Sequence, residues 1–125
     1  MGIEAIDHVV ICVVEPEPFL AFYRDHLGAT VRQSAPGKHE VCFGAAKISV
    51  QTPDTLPAIA ANTRPGTANL CLTTDEPVAD LLARLALAGI ETVSPLAERD
   101  GALGPLLSAH IRDPEGNLVE IANRL

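Results

Sequence analysis

The sequence predicts an α+β fold built from two βαβββ modules that together form a cupped mixed sheet. The order of one strand, one amphipathic helix and three further strands occurs twice along the chain. Gly28 and Gly89, which follow the two predicted helices, lie 61 residues apart, and His8 and Asn69 in the first strand of each module have the same separation. A repeat of this kind indicates one supersecondary unit that is used twice.

The 125 residues suit a single domain with its own hydrophobic core. Within residues 1–125, module one is predicted at about 1–52 and module two at about 67–125. Residues 53–66 carry three prolines and a glycine without hydrophobic periodicity, which is typical of a connector.

The first module is predicted from a β-branched run and from apolar positions at helical spacing. The run from Ile3 to Val14 predicts a strand, and Phe19, Phe22, Tyr23 and Leu27 predict a helix that starts at Pro18 and stops before Gly28. Three short strands follow, near 29–34, 39–43 and 47–51.

The second module repeats this pattern. Asn69 to Thr74 predicts a strand, Asp75 is the predicted helix cap, and Val78, Leu81, Leu82 and Leu85 form an apolar stripe that stops at Gly89. Strands are predicted near 90–94, 106–112 and 117–122, the last two joined by the turn 113–116.

Charge and composition exclude several classes of partner. The formal net charge of −7 repels nucleic acid and anionic membrane surfaces alike. The start of the chain has no basic region before its apolar run, so we expect a cytoplasmic protein. The three cysteines form no CxxC pair and are expected to be reduced thiols.

Alternating side chains predict a pocket. In most strands one face is apolar, whereas the other carries polar groups such as His8, Ser108, His110 and Glu120. If the polar faces curve toward one another, they line a cavity for a small molecule. His8 and Glu120 are good ligand types for a divalent transition metal, but a hydrogen-bonded core histidine and an exposed terminal glutamate explain them individually as well.

Five segments in order along the chain carry a resemblance to a known family: IDHVVICVV, FLAFYRDHLGATV, FGAAKISVQ, GTANLCLTTDEPVADLLARLALAGI and SAHIRDPEGNLVEIANRL. They resemble the vicinal oxygen chelate superfamily, which contains glyoxalases, bleomycin resistance proteins and dioxygenases. The resemblance covers nearly the whole chain and is closest to the glyoxalase-domain virulence-associated subgroup.

The resemblance implies a divalent metal held by side chains from strands one, four, five and eight. Carried over by position, these are His8, Gln51, Asn69 and Glu120. Asn69 replaces a usual histidine, so we expect the metal ligands to be His8, Gln51 and Glu120, with Asn69 binding substrate. Amide oxygens are weak donors, so the metal is expected to be weakly held or absent, and Mn, Ni, Co, Fe(II) or Mg fits better than Zn.

The resemblance also implies chemistry at this site. Glu120 and His110 are the expected catalytic residues, since imidazole and carboxylate groups transfer protons near neutral pH, and Ser108 is expected to contact substrate. His110 is equally well explained as a hydrogen-bonding residue without a catalytic role. Arg112 is assigned to the turn that follows it rather than to the site.

Two functions follow as hypotheses. The first is a glyoxalase-like, metal-dependent lyase or isomerase that acts on a small oxygen-rich substrate through metal chelation and proton transfer. The alternative is a non-catalytic protein that sequesters a ligand or antibiotic, as bleomycin resistance proteins do. The chain is a poor candidate for a dioxygenase, because Asn69 stands in place of the second histidine of the two-histidine, one-carboxylate metal site. The resemblance further implies a homodimer.

Overall fold

The computed structural model describes residues 1–54 and 60–125, so residues 55–59 of the predicted connector lie outside the described residues. The chain separates into two compact units, Met1–Gly66 and Thr67–Leu125. Each unit contains one strand, one helix and three further strands, in that order. The predicted α+β fold with two βαβββ modules is therefore confirmed.

The first unit forms a four-stranded sheet with the order β1-β4-β3-β2. Strand β1 runs parallel to β4, and the other neighbours are antiparallel. The first strand is shorter than predicted, because its pairing with β4 covers five residues only. The elements are β1 (His8–Cys12), α1 (Pro16–Asp25), β2 (Thr30–Ala35), β3 (Lys38–Phe43) and β4 (Ala46–Gln51).

The second unit has the same topology, with the order β5-β8-β7-β6 and β5 parallel to β8. Both helices have ten residues. Within the described ranges, no helix is long and apolar enough to cross a membrane. The elements are β5 (Asn69–Thr73), α2 (Val78–Leu87), β6 (Ser94–Gly101), β7 (Gly104–Arg112) and β8 (Leu118–Arg124).

Helix α1 is held by the apolar residues that predicted it. Phe19, Phe22 and Tyr23 are buried, and the rings of Phe19 and Tyr23 lie 4.8 Å apart between centroids. The helix begins at Pro16, two residues before the predicted start at Pro18. Proline suits the first turn of a helix, because the backbone N–H that it lacks would have no partner within the helix. Gly28 follows with φ of +73°, a backbone conformation that other residues adopt at a steric cost.

The predicted cap of helix α2 is wrong. The side chain that accepts the hydrogen bond from the Val78 backbone N–H is Asn123 of β8, with an N–O distance of 2.9 Å, and not Asp75. The Asn123 amide nitrogen also donates to the carbonyl oxygens of Thr74 and Glu76, both at 2.9 Å. A residue 45 positions away along the chain supplies this cap, so the local sequence motif could not reveal it.

Replacing Asn123 by Ala is therefore expected to remove three hydrogen bonds at once. We expect a loss of about 2 kcal/mol in the free energy of unfolding, measured by urea denaturation. Asn123→Asp keeps the acceptor for Val78 but loses both donated bonds, and an intermediate loss is expected. Wild-type stability in the Ala variant would contradict the assigned role of this side chain.

The strand predicted near 90–94 is also wrong, because β6 begins at Ser94 and ends at Gly101. The run Glu98, Arg99 and Asp100 lacks the apolar alternation that predicts a strand. Strand β6 is an edge strand that pairs with β7 alone, and edge strands tolerate charged side chains on both faces. This shift of the strand matters for the site, because Arg99 then lies within the sheet.

The turn between β7 and β8 is held by two buried polar side chains. Asp113 accepts hydrogen bonds from the backbone N–H groups of Glu115 and Asn117 and from the Asn117 amide nitrogen. Asn117 Oδ1 accepts from the backbone N–H of Ala68, at 2.9 Å, just before β5. Arg112 donates to the carbonyl of Gly116 at 3.2 Å, in agreement with its assignment to the turn.

Candidate functional site

Strands β7 and β8 of the second unit carry three of the predicted site residues on one face. His110 lies opposite Glu120 in the antiparallel register, and Ser108 lies opposite Ala122. The intervening residues of both strands form the other face and are at most 2% exposed: Ala109, Ile111, Val119 and Ile121. Because this apolar face is buried, alternation along each strand fixes the direction of the polar side chains.

The three polar side chains make a continuous network. Ser108 Oγ donates to Glu120 Oε2 at 2.7 Å, and His110 Nε2 lies 3.4 Å from Glu120 Oε1. Ser94 Oγ, from β6, lies 2.5 Å from His110 Nδ1. The side chains of His110 and Glu120 are 16% and 18% exposed, so the pair is largely buried but still in contact with solvent. The structure thus brings Glu120, His110 and Ser108 together.

The sequence revealed neither of the two network residues on β6, Ser94 and Arg99, and Arg99 contacts both serines of the network. Its Nη1 atom donates to the carbonyl oxygen of Ser108 and, at 3.2 Å, to Ser108 Oγ. Its Nη2 atom donates to Ser94 Oγ at 3.3 Å and to the carbonyl oxygen of Pro95 at 3.2 Å. Correct placement of β6 over 94–101 is the signal that would have put Arg99 beside this face.

The Glu120 carboxylate fixes the direction of the hydrogen bonds in the network, because an ionised carboxylate only accepts. Ser108 therefore donates its O–H to Glu120, and Arg99 donates to a lone pair on each serine oxygen. The His110 Nε2 atom, which faces Glu120 Oε1, is assigned the proton of the neutral ring, and Nδ1 then accepts from Ser94.

Glu120 also lines a cavity of about 240 Å³ in the second unit. This volume suits a small molecule of a few heavy atoms rather than a drug-sized ligand. Asp100 places a second carboxylate in the same lining, and Arg124 places a cation there. The remaining lining residues are Cys71, Thr73, Gly101, Ala102 and Leu106.

Cys71 lies directly opposite Glu120 in the register of β5 and β8. Burial raises the pKa of the Cys71 thiol, and the nearby Glu120 carboxylate raises it further. Since the thiolate is the reactive form, this thiol is expected to be a poor nucleophile at neutral pH.

Alkylation of Cys71 is expected to report on this environment. In a variant with Cys12 and Cys42 replaced by Ala, the iodoacetamide reaction rate should rise with pH at a higher midpoint than that of a free cysteine. Glu120→Gln should move the midpoint down toward the ordinary value, because it removes the neighbouring negative charge. An unchanged midpoint would show that Glu120 does not act on Cys71.

Asn69, the predicted substrate-binding residue, lies on the same face of β5 as Cys71 but at the start of the strand. Its register partner is Leu118, whereas that of Cys71 is Glu120. The two-residue step separates Asn69 from the row of Glu120 by about 7 Å along the strand. Asn69 is exposed and lies outside the network around Glu120.

In the first unit, the predicted metal ligands His8 and Gln51 are not brought together. The parallel register of β1 and β4 pairs His8 with Lys47 and pairs Gln51 with Cys12. Gln51 is four residues beyond Lys47, which corresponds to about 13 Å along the strand. His8 Nδ1 instead lies 2.8 Å from Asp7 Oδ1, and the His8 side chain is 43% exposed.

Superposing the two registers shows which residue of the first unit corresponds to Glu120. Glu120 follows the Asn69–Leu118 pair by two positions, and Ser49 follows the His8–Lys47 pair by two positions. The unit-one counterpart of Glu120 is therefore Ser49, two residues before Gln51. Position in the sequence pointed to Gln51 and not to Ser49, because this segment contains no motif that fixes the register of β4 against β1.

By the same comparison, Glu40 is the counterpart of His110 in the first unit, because Glu40 lies opposite Ser49 as His110 lies opposite Glu120. Glu40 is 6% exposed, and its two oxygens lie 2.6 Å from Lys47 Nζ and from Arg32 Nε. Hydrogen bonds from Lys47 and then from Arg32 lower the pKa of Glu40 to about 2. The first unit thus holds a carboxylate that stays ionised at neutral pH and is unsuited to take up a proton.

The sequence model of the Glyoxalase/Bleomycin resistance protein/Dioxygenase superfamily matches residues 5–121. The chain belongs to this superfamily. The match extends from just before β1 into β8 and so includes both modules.

Relatives within the glyoxalase superfamily cover nearly the whole chain. Virulence protein STM3117 of Salmonella typhimurium is 36% identical over 98% of this chain and 85% of its own length. Its crystal structure aligns over 100% of both chains with a TM-score of 0.94. Glyoxalase domain-containing protein RDO1 of Mycosarcoma maydis is 32% identical over 98% of this chain and 70% of its own length.

A solved structure of TnmS3, an antibiotic binding protein from Streptomyces sp. CB03234, shares 25% identity. The alignment covers 100% of this chain and 99% of that chain, with a TM-score of 0.75. The same fold therefore occurs in a protein that binds an antibiotic.

The predicted ligands of the metal that the glyoxalase resemblance implies belong to both units, His8 and Gln51 to the first and Glu120 to the second. Among residues 1–54 and 60–125, no group of three His, Cys, Asp or Glu side chains is placed to hold a metal ion. His8 and Gln51 lie apart in the first unit, and both oxygens of Glu120 face partners in the second. Neither unit by itself fits a metal centre, and a metal at His8, Gln51 and Glu120 stays a prediction.

Proposed function

We propose that the protein is a glyoxalase-like lyase or isomerase that moves a proton on a small oxygen-rich substrate. The observation that carries this proposal is the His110–Glu120 pair, at 3.4 Å, beside a cavity that Glu120 lines. A carboxylate on a cavity wall with a histidine behind it is the arrangement that general acid–base catalysis requires.

Glu120 is the group that we assign to the substrate. Its Oε2 atom accepts a hydrogen bond from Ser108, which holds the carboxylate in one orientation. A carboxylate oxygen has two lone pairs, so a substrate proton has a place to bind. Glu120 takes a proton from a carbon next to a carbonyl group, and the C–H electron pair moves onto the carbonyl oxygen as an enolate.

The proton then returns from Glu120 to a neighbouring atom of the substrate. Return to carbon or oxygen gives an isomerisation, and loss of a leaving group from the enolate gives an elimination. His110 supports both steps, because its Nε2–H faces Glu120 Oε1 and stabilises the carboxylate when the proton leaves it. Arg99 and Ser94 keep His110 in this tautomer.

The test is hydrogen exchange into deuterated water, followed by proton NMR. The probes are a set of small 2-oxo acids, whose size suits the cavity of about 240 Å³. The wild-type protein is expected to accelerate loss of the proton next to the carbonyl group in at least one probe. No acceleration above buffer across the set would count against the proposal.

The second candidate is a binding protein that sequesters an antibiotic without chemistry. The 25% identity with an antibiotic binding protein and the neutral amides at Gln51 and Asn69 favour it. Bleomycin would then raise the melting temperature by mass action, and EDTA would leave that rise unchanged. A rise with bleomycin together with no proton exchange would select this alternative. The homodimer and the cytoplasmic location stay predictions.

A further inference from the structure

The first unit concentrates positive charge on one face of its sheet. The chain has two lysines, and both lie on this face, Lys38 on β3 and Lys47 on β4. Register and alternation place Arg32 and Glu40 beside them. We call Arg32, Lys38, Glu40 and Lys47 the cationic face. It has three cations and one carboxylate, in a chain whose formal net charge is −7.

A cavity of about 430 Å³ opens on the cationic face. Its lining includes Lys38, Glu40, Ser49 and Gln51, together with Val10 and the turn at residues 36–37. Among the described residues, the side chains of Lys38, Ser49 and Gln51 have no hydrogen-bond or ion-pair partner. The cavity is therefore lined by three side chains with N–H or O–H groups that can donate hydrogen bonds to a ligand.

Glu40 repels an anion in this cavity less than an isolated carboxylate would. Its two oxygens are bound by Lys47 and Arg32, each at 2.6 Å, so two cations neutralise one negative charge. Lys38 then adds a further positive charge that Glu40 does not compensate. Lys38 lines the cavity itself, and an uncompensated charge in a concave site raises the local concentration of ligands of the opposite sign.

We propose that this cavity binds an oxyanion, the carboxylate or phosphate group of a small molecule. Lys38 forms the ion pair, and Ser49 Oγ and the Gln51 amide donate hydrogen bonds to the remaining oxygens. The assignment gives Gln51 a role as a donor to an anion rather than as a metal ligand. It goes beyond the proposed proton transfer and does not depend on it.

The test is a titration of the full-length ¹⁵N-labelled protein with inorganic phosphate and, separately, with acetate. Sodium chloride keeps the ionic strength constant, and amide shifts are recorded by NMR. Saturable shifts are expected at residues of β3 and β4 that line the cavity. Lys38→Gln should raise the dissociation constant roughly fivefold, which is the effect of losing one partly exposed ion pair.

The matched control is Arg24→Gln, which removes one positive charge from exposed α1 in the same unit. Its dissociation constant should equal that of wild type within twofold, as a local site requires. Equal weakening in Lys38→Gln and Arg24→Gln, or no saturable shift with either anion, would overturn the proposal. Preference for phosphate or for acetate identifies the oxyanion.

A third variant separates this inference from the proposed function. His110→Ala removes the proton-transfer pair of the second unit and should leave phosphate binding unchanged. Lost exchange activity with retained anion binding would be the expected pattern. Loss of anion binding in His110→Ala would show that the cavity of the first unit is not an independent site, and would overturn the inference while leaving the enzyme proposal intact.

Discussion

Proton exchange catalysed by the Glu120→Gln variant is expected to be roughly 10²- to 10⁴-fold slower than by wild type, the usual contribution of one general base. Glutamine keeps the size of the side chain and an oxygen that accepts from Ser108, so the fold should be preserved. It cannot take up a proton at neutral pH. The rate of deuterium incorporation into the most active probe measures this loss.

Asp100→Asn is the matched control, because Asp100 lines the same cavity and carries the same charge. The change removes one negative charge from the lining without touching the His110–Glu120 pair. We expect its exchange rate to stay within a few-fold of wild type. A loss as large as that of Glu120→Gln would mean that the charge of the cavity, and not the proton acceptor, determines the rate.

Much of the fold was predictable because its signals are local. The apolar spacing of Phe19, Phe22 and Tyr23 marks α1 without reference to any other part of the chain. The strand at 94–101 and the cap of α2 were missed for the opposite reason. An edge strand with charged side chains lacks alternation, and the Asn123 cap comes from the last strand.

The site was predictable in the second unit and less so in the first. Glu120, His110 and Ser108 follow from alternation, since the turn at 113–117 fixes the register of β7 and β8. No such short turn links β1 to β4, and a slip of two residues keeps a side chain on the same face. Gln51 and Ser49 are therefore indistinguishable by alternation, and only the register shows that Ser49 corresponds to Glu120.

The two modules have kept one topology and diverged in the central row of their sheets. In the first unit this row carries Arg32, Glu40 and Ser49, and in the second it carries Ser94, His110 and Glu120. The first set is a fixed ion pair whose carboxylate has a pKa of about 2. The second joins a carboxylate to a histidine beside a cavity that the carboxylate lines. We accordingly propose proton transfer for the second unit and anion binding for the first.

Replacing Arg99 by Lys is expected to impair the second unit in two measurable ways. A lysine keeps the positive charge but lacks the planar fork that lets Arg99 donate to Ser94 and Ser108 at once. We expect the free energy of unfolding to fall by about 2 kcal/mol, as several hydrogen bonds from a charged group are lost. Arg112→Gln, which loses one exposed hydrogen bond to the turn, should change it by less than about 1 kcal/mol.

The second effect of Arg99→Lys is on the tautomer of His110, which a measurement of stability does not detect. In wild type, ¹⁵N NMR of the imidazole is expected to show a protonated Nε2 and an unprotonated Nδ1. In Arg99→Lys, Ser94 is free to turn its O–H away, so both tautomers should be populated and the exchange rate should fall. An unchanged tautomer with reduced stability would make Arg99 a purely structural residue. A mixed tautomer with a reduced rate would make it the residue that positions the proton facing Glu120.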